Sequence, residues 1–439
     1  MVSNEDTGFT CSRQRNHDLS ITLRSAFALC LASLISMAPS AAQTVGDIFN
    51  FGYGAGIGSD PSVPLIASPN GALYGTTVAG GDLNCPGGLG QGCGTVFELN
   101  FSGASWIHTT LYEFQGGKDG VQSVSTLTLD PAGRLYGVTN SGTPHGAIYR
   151  LTPGASNQPW HFGLLYEFQG RSDGAYALSP LFIDKAGAIY GASQQGGLHG
   201  EGCNQQFGCG AIFQLVPPSQ QGGAWTEHTL YDFAGASDGG NPSTMIMDST
   251  GTIYGTTTNG GIFNSNCYLG CGVVFKLTPQ NGSWNYSVIY SFKGAPDESA
   301  YGNLIRDSHG VLFGLAMRGL QGSAGGVVFL LAPRASETGP WTLQNIHEFR
   351  DTYPATNLEQ GRNGVLYGDI YGDQDFNAGY VFQIEPPAEA AASWTYTKVV
   401  DFNGSAFQNP DGVLVRRDAL FVTITGGGYS PGNIVSVTP

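Results

Sequence analysis

Seven times between residues 43 and 439 the chain repeats one four-part phrase, which confines it to architectures that stack or ring equivalent units. The most legible part is an aromatic preceded by an apolar residue and usually followed by Gly. It reads LYGTT at Leu73, LYGVT at Leu135, IYGAS at Ile189, IYGTT at Ile253, LFGLA at Leu312, LYGDI at Leu366 and LFVTI at Leu420. Its aromatics, from Tyr74 to Phe421, are separated by 62, 54, 64, 59, 54 and 54 residues. Each copy opens with an apolar segment that ends in a turn, as in LTLDPAG at Leu127, MIMDSTG at Met245 and LIRDSHG at Leu304. Asp in such a turn bonds its own backbone and Gly takes positive φ. A Gly-rich connection then leads to a third segment, as in GTVFEL at Gly94 and GVVFKL at Gly272, and a fourth runs from a Trp to an aromatic pair. All six Trp residues (Trp106, Trp160, Trp225, Trp284, Trp341, Trp394) occupy that one position.

The four segments are rich in Val, Ile, Thr, Tyr and Phe and are separated by turn residues, so they read as strands a, b, c and d of an antiparallel sheet. One such sheet cannot bury both faces alone, whereas sheets packed radially can. The expected fold is all-β, a seven-bladed β-propeller. The chain ends agree with it. The last copy stops after strand c at Asn433–Val437, and an orphan segment VGDIFNF, residues 45–51, matches the end of a d strand. The orphan therefore completes the last blade, giving 28 strands in seven blades of four.

The recurring aromatics are expected to fill the wedges between blades. Asp130, Asp184, Asp248 and Asp307 are expected to form turns. The Gly after the aromatic, from Gly75 to Gly368, marks a bulge or close backbone approach. The last copy has Val422 there, and Val415-Arg416-Arg417-Asp418 in place of the turn.

Before the repeats, Arg13, Arg15 and Arg24 precede an apolar run, Ala26 to Pro39, and Ser40-Ala41-Ala42 offers a small-residue cleavage site. Residues 1–42 read as an export leader and 43–439 as a single propeller domain, extracytoplasmic and without a membrane span once the leader is removed. Six of the eight cysteines fall in the repeats as close pairs, Cys85 with Cys93, Cys203 with Cys209 and Cys267 with Cys271, each in a b–c connection. Local disulfides suit an oxidising compartment. The balance of 18 Lys plus Arg against 33 Asp plus Glu gives a net charge of −15, which repels nucleic acid and anionic membranes.

Antiparallel order puts the a–b and c–d turns on one face and the b–c and d–a connections on the other. The second face carries the cysteine loops and Asp119, Asp173 and Asp238, with His145, His199, Arg318, Asp373 and Asp375 as further polar residues unexplained by packing. These eight are the candidate ligand-binding residues, because elaboration on one rim of a rigid ring is how binding surfaces are usually placed. No metalloprotease motif, phosphate loop or dinucleotide fingerprint is present. Catalytic residues are therefore not assigned and no cofactor is expected, with calcium as the alternative.

The run Asp-x-x-Gly-x-Leu-Tyr-Gly-Thr-Thr, then Gly-Gly, Gly-Thr-Val-Phe-x-Leu, Trp and Leu-Tyr-x-Phe-x-Gly resembles the GloVer tandem-repeat family, named for Gloeobacter and Verrucomicrobia. Gly251 to Gly261 with Gly272 to Leu277 carry the resemblance well, and it extends from about Val45 to Val437. The last three copies depart from it at Phe313-Gly-Leu-Ala, Tyr367-Gly-Asp-Ile and Phe421-Val-Thr-Ile. The resemblance implies an exported bacterial protein and no defined activity. The expectation is a binding or surface-interaction module for a glycan or another extracellular polymer; the alternative is a hydrolase or lyase acting on a sugar or lactone.

Overall fold

The computed structural model describes residues 44–438 except 53–55, 89, 124, 142, 156–157, 171, 204–205, 221, 266, 295–298, 318–324, 334–340, 351, 372–378, 390–392, 403–407, 418 and 427–430. Seven small antiparallel sheets form a ring, with the four strands of each in the order a-b-c-d. Blade 4 is representative: strand a is Gly240–Met247, b Ile253–Asn259, c Val273–Gln280 and d Ser283–Ser291. Blades 1, 2 and 3 occupy residues 66–113, 121–167 and 182–232, and blades 5 and 6 residues 299–350 and 353–401. Strand a of blade 2 is split into Val121–Ser123 and Thr128–Leu129, both paired with its strand b. Among the described residues no helix is long and apolar enough to cross a membrane.

Burial follows strand position. Strand b of blade 1, Leu73–Thr77, is buried throughout, whereas strand d of blade 4 alternates between exposed and half-buried residues over its first half. The repeated Gly of strand b explains much of this density. In six blades it pairs across the sheet with the strand c aromatic: Gly75 with Phe97, Gly137 with Tyr149, Gly191 with Phe213, Gly255 with Phe275, Gly314 with Phe329 and Gly368 with Phe382. The tip of the ring lies over the glycine, so that an added Cβ would sit 2.3–2.5 Å from it. The b–c register is unbroken at this pair, and the close approach is made by a ring; on the other side the a–b ladder shifts beside the glycine in blades 5 and 6, where Leu304 faces Gly314 and Leu358 faces Gly368 across a bulge in strand a. In blade 7 the same pair is Val422 with Val435, and loss of the glycine coincides with loss of the ring.

Each strand c ring then receives a ring from the preceding blade. The last aromatic of strand d meets it at a steep angle: Phe114 on Tyr149, Phe168 on Phe213, Phe233 on Phe275, Phe292 on Phe329 and Phe349 on Phe382, with centroids 5.1–5.6 Å apart. Offset and edge-on aromatic pairs are worth about 0.5–1.5 kcal/mol each beyond the area they bury. The Trp that opens strand d packs in the other direction, edge-on against the strand b aromatic of the blade before it. Trp160 meets Tyr74, Trp284 meets Tyr190, Trp341 meets Tyr254 and Trp394 meets Phe313 at 5.8–6.3 Å. Trp225 joins Tyr136 in one apolar cluster.

The N-terminal strand closes the ring. Thr44–Asn50 pairs antiparallel with strand c of blade 7, Asn433–Thr438, from Thr44 opposite Thr438 to Asn50 opposite Asn433. It behaves as a d strand in two further respects. The c–d ladders of blades 1 to 6 skip one apolar residue of strand d beside the strand c aromatic, Leu111 in blade 1 and Ile289 in blade 4, and here the skipped residue is Ile48. Phe51 makes the edge-on contact to Phe97 of blade 1 at 5.3 Å, and Trp106 completes the circuit on Phe421 of blade 7 at 5.8 Å.

Two outcomes follow. Deleting residues 45–51 strips blade 7 of its outer strand and is expected to lower the thermal midpoint of the whole domain; an unchanged melting curve would contradict the closure. Gly255→Val drives a side chain into Phe275 and should cost at least about 3 kcal/mol, at the upper end of overpacking. The double change Gly255→Val with Phe275→Val, which copies blade 7, should recover more than half of that loss in denaturant titrations.

Candidate functional site

The structure gives the three repeated acidic residues of the b–c/d–a face a shared geometry. Asp119 Oδ2 accepts hydrogen bonds from the Tyr112 hydroxyl (2.7 Å) and the Gln115 N–H (2.8 Å). Asp173 does the same with Tyr166 (3.0 Å) and Gln169 N–H (2.7 Å), and Asp238 with Tyr231 (3.0 Å) and Ala234 N–H (2.8 Å). In each case the tyrosine stands seven residues earlier, in strand d. Burial, followed by the adjacent carboxylate, pushes all three phenols well above their ordinary range. The Gly that follows each Asp has positive φ and lies against a hydroxyl of strand b in the next blade: Gly120 on Thr139, Gly174 on Ser193 and Gly239 on Thr257. The Asp-Gly pair is thus a clasp between consecutive blades.

The remaining candidates are dispersed. His145 is half-buried, and its ring packs against Gly170 of the d–a connection. His199 is exposed on the same face. Arg318, Asp373 and Asp375 lie outside the described residues. The three expected disulfides are formed, Cys85–Cys93, Cys203–Cys209 and Cys267–Cys271. Each belongs to an apolar cluster between its blade and the next, so it fills the wedge as well as closing its loop. On the opposite face the turn aspartates act as expected: Asp184 Oδ1 accepts from Ala186 and Ala188 N–H, and Asp307 Oδ1 from His309 and Val311 N–H. His108 and His347 of strand d are stacking rings, on Phe49 at 4.3 Å and on Tyr396 at 3.9 Å, and burial holds His108 down at about 4. Among the described residues no three His, Cys, Asp or Glu converge in a way that would hold a metal ion.

Two cavities lie along the channel enclosed by the a strands. The one toward the b–c/d–a end measures about 260 Å³; Ser62, Ser125, Thr126, Ser243, Asn303 and Asn357 line it together with the apolar Val63, Pro64, Leu178 and Pro180, and none of the described lining residues is charged. Its amides tie neighbouring blades together. Asn303 Nδ2 donates to Leu358 O (2.9 Å) and Leu358 N–H donates to Asn303 Oδ1 (2.7 Å), while Asn357 Nδ2 donates to Val413 O (2.7 Å). The cavity toward the a–b end measures about 470 Å³ and holds Asp248, Arg306 and Glu359. Burial raises the Glu359 carboxyl to about 7. Burial acts on Asp248 in the same sense, but hydrogen bonds from Thr250 and Thr252 and the Arg306 charge together outweigh it and hold Asp248 below the usual range.

A buried acidic pair was not singled out from the sequence. Asp369 of strand b in blade 6 (Leu366–Tyr371) has no exposed surface, and among the described residues neither of its carboxylate oxygens has a hydrogen-bond partner in good geometry, the Gly412 N–H being directed toward it only loosely. Burial first, and then Asp411 of strand a in blade 7 (Gln408–Arg416), raises its affinity for a proton. Asp411 is itself raised to about 7 by burial and by Asp60. The signal available in the sequence was a break in the repeat: strand b of blades 1, 4 and 7 carries Thr76, Thr256 and Thr423 at this place, and each threonine hydroxyl bonds to a strand a partner. Unfolded carboxyls titrate near 4, so the folded protein binds these protons more tightly than the unfolded chain. The stability these carboxyls contribute is therefore fully present below about pH 4 and is lost as pH rises through their raised folded values, about 7 for Asp411. Asp369→Thr should flatten that fall and raise the melting temperature at pH 8 by at least ~2 °C, about one kcal/mol for a domain of this size. A pH profile unchanged from wild type would exclude the pair as its source.

No curated protein matches the chain. Among solved structures, the extracellular domain of a hybrid two-component system from B. thetaiotaomicron aligns over 90% of this chain with a TM-score of 0.50 and 11% identity. A puromycin-hydrolysing peptidase from Mycobacterium tuberculosis aligns over 89% with a TM-score of 0.51 and 12% identity. The chain spans only 40% and 55% of the length of those two proteins, and at such identities the likeness concerns the propeller fold alone. The repeat profile described as Gloeobacter/Verrucomicrobia repeat matches residues 31–207, 145–350 and 203–435, which together take in every blade. The chain belongs to the Gloeobacter/Verrucomicrobia repeat family.

Proposed function

We propose that this protein is an extracytoplasmic binding module for polyhydroxylated ligands, glycans foremost, which it takes at the b–c/d–a end of its channel. The observation that carries this reading is the lining of the 260 Å³ cavity, in which, beside the apolar Val63, Pro64, Leu178 and Pro180, stand the hydroxyls of Ser62, Ser125, Thr126, Ser243 and Thr244 and the Gln194 amide. Such groups donate and accept in equal measure, as sugar hydroxyls do. General acid–base chemistry needs a side chain that changes protonation, and the lining of this cavity supplies none. The surrounding rim, with Asp119, Asp173, Asp238, His145 and His199, is the proposed contact surface for the rest of a longer chain. The three loop disulfides support placement in an oxidising compartment.

A second reading, hydrolysis of a sugar or lactone, is favoured by one observation. The a–b cavity brings together Glu359, raised to about 7, and an aspartate held ionised, and acid catalysts in glycosidases are tuned in this direction.

The test is a panel of neutral and acidic oligosaccharides, read by calorimetry for binding and by chromatography for products. The expected result is retention without turnover, with binding of a neutral sugar weakened at least tenfold by Thr126→Trp, which fills the cavity. Replacing Asp119, Asp173 and Asp238 together by Asn should weaken binding of longer chains, while Asp130, Asp184 and Asp248 changed together should leave it intact. Product formation that Glu359→Gln abolishes would replace the binding reading with the hydrolytic one.

A further inference from the structure

The ring departs furthest from its own repeat where it closes, and a groove lies there. In blades 2 to 5 strands a and b are joined by the Asp-x-x-Gly turn, with its glycine (Gly133, Gly187, Gly251, Gly310) at positive φ. In blade 7 strand a ends at Arg416 and strand b, Ala419–Gly426, begins three residues later, with Arg416 opposite Ala419. The turn has shrunk to two residues. Arg417 occupies the first of them at φ 54, in the left-handed region. Two-residue hairpins of this kind favour Asn, Asp or Gly there, and a non-glycine residue held in that region is strained. Arginine is a poor choice for making this turn, and strain of this sort collects at binding and catalytic sites.

The groove beside it, between blades 7 and 1, measures about 620 Å³. One wall is aromatic. Phe101, at the end of strand c in blade 1, is 57% exposed, and its ring lies 5.3 Å from that of Trp106. The other wall is cationic. Arg416 is fixed by a hydrogen bond from Nη1 to Gly71 O at 2.8 Å, whereas Arg417 is exposed and makes no ion pair among the described residues. The amides of Asn70 and Asn100 line the same space. Two adjacent arginines are a strong local feature in a chain of net charge −15.

We infer that this groove is a binding site for a carboxylate-bearing sugar, a uronic acid unit of an acidic saccharide. Flat aromatic faces suit the C–H face of a pyranose ring, the amides suit its hydroxyls, and a guanidinium engages a carboxylate through two parallel hydrogen bonds. The site lies on the a–b/c–d face, apart from the channel cavity, and does not depend on the function proposed for that cavity.

The experiment titrates the full chain with oligogalacturonate and with its methyl-esterified, uncharged counterpart. The acid should bind at least tenfold more tightly than the ester, and its affinity should fall with added salt. Arg417→Gly is the decisive variant, because glycine relieves the turn while removing the charge. It should melt no lower than wild type and lose at least tenfold in affinity for the acid; Phe101→Ala should weaken acid and ester alike. Thr126→Trp, which fills the channel cavity, should leave acid binding intact. Equal affinity for acid and ester, no binding of the acid at millimolar concentration, or full binding by Arg417→Gly would each overturn the inference. Loss of acid binding in Thr126→Trp alone would place the acidic sugar in the channel, overturning the groove while leaving the channel reading standing.

Discussion

The ring depends on a three-part contact that crosses every blade boundary but one: a phenylalanine at the end of strand d, an aromatic of strand c in the following blade, and the glycine of strand b beneath that aromatic. Each part requires the other two. Without the glycine the tip of the strand c ring loses the space it occupies on its own sheet, and with it the position at which the incoming phenylalanine meets it. The unit therefore fixes the spacing between blades as well as filling it. At the remaining boundary Phe402 enters a cluster of aliphatic side chains around Val422 and Val435. Packing there is apolar but lacks the ring-on-ring geometry, which makes blade 7 the least regular member of the circle. The protein's oddities, the short turn with its arginines and the buried Asp369 and Asp411, gather around that blade.

What could be read from the sequence was what repeats. Strand order, blade number, ring closure and the three disulfides all follow from comparing copies within one chain, because packing between equivalent blades imposes equivalent residues. The Asp-x-x-Gly turns were legible for the same reason. Repetition also obscured something. Asp119, Asp173 and Asp238 look like a designed acidic rim, but each has a tyrosine seven residues before it, and the constant interval expresses a bond within the copy. The grooves and buried charges were legible only as departures from the pattern: Asp369 in place of threonine, Val415 to Asp418 in place of a turn. A departure says where to look. Which blade stands across the gap, and whether the gap is open, depends on ring geometry that no single copy contains.

The channel and the closing seam offer different chemical surroundings. The cavity toward the b–c/d–a end is polar without charge, and its amides are already committed to holding inner strands together, so it is stiff. The seam groove combines the exposed Phe101 ring with an arginine that makes no ion pair among the described residues, and is made from the ends of elements. A rigid ring that carries a neutral pocket on one side and a charged groove on the other could hold a long polymer at two points, and linked sites gain in avidity whenever the ligand can reach both.

Closure through Thr44–Asn50 also has a consequence for the order in which the molecule can be assembled. The partner of Thr44 is Thr438, so a strand that precedes blade 1 waits for strand c of blade 7. Blades 1 to 6 are each encoded in one continuous stretch and can form locally as the chain lengthens, whereas blade 7 can be completed only when Thr44–Asn50 reaches Asn433–Thr438. Until then one strand is held at a single edge with its ladder groups unpaired, and such an edge is a template for pairing with another copy. In a protein built this way the yield of folded molecules should be governed by how quickly these two strands find each other.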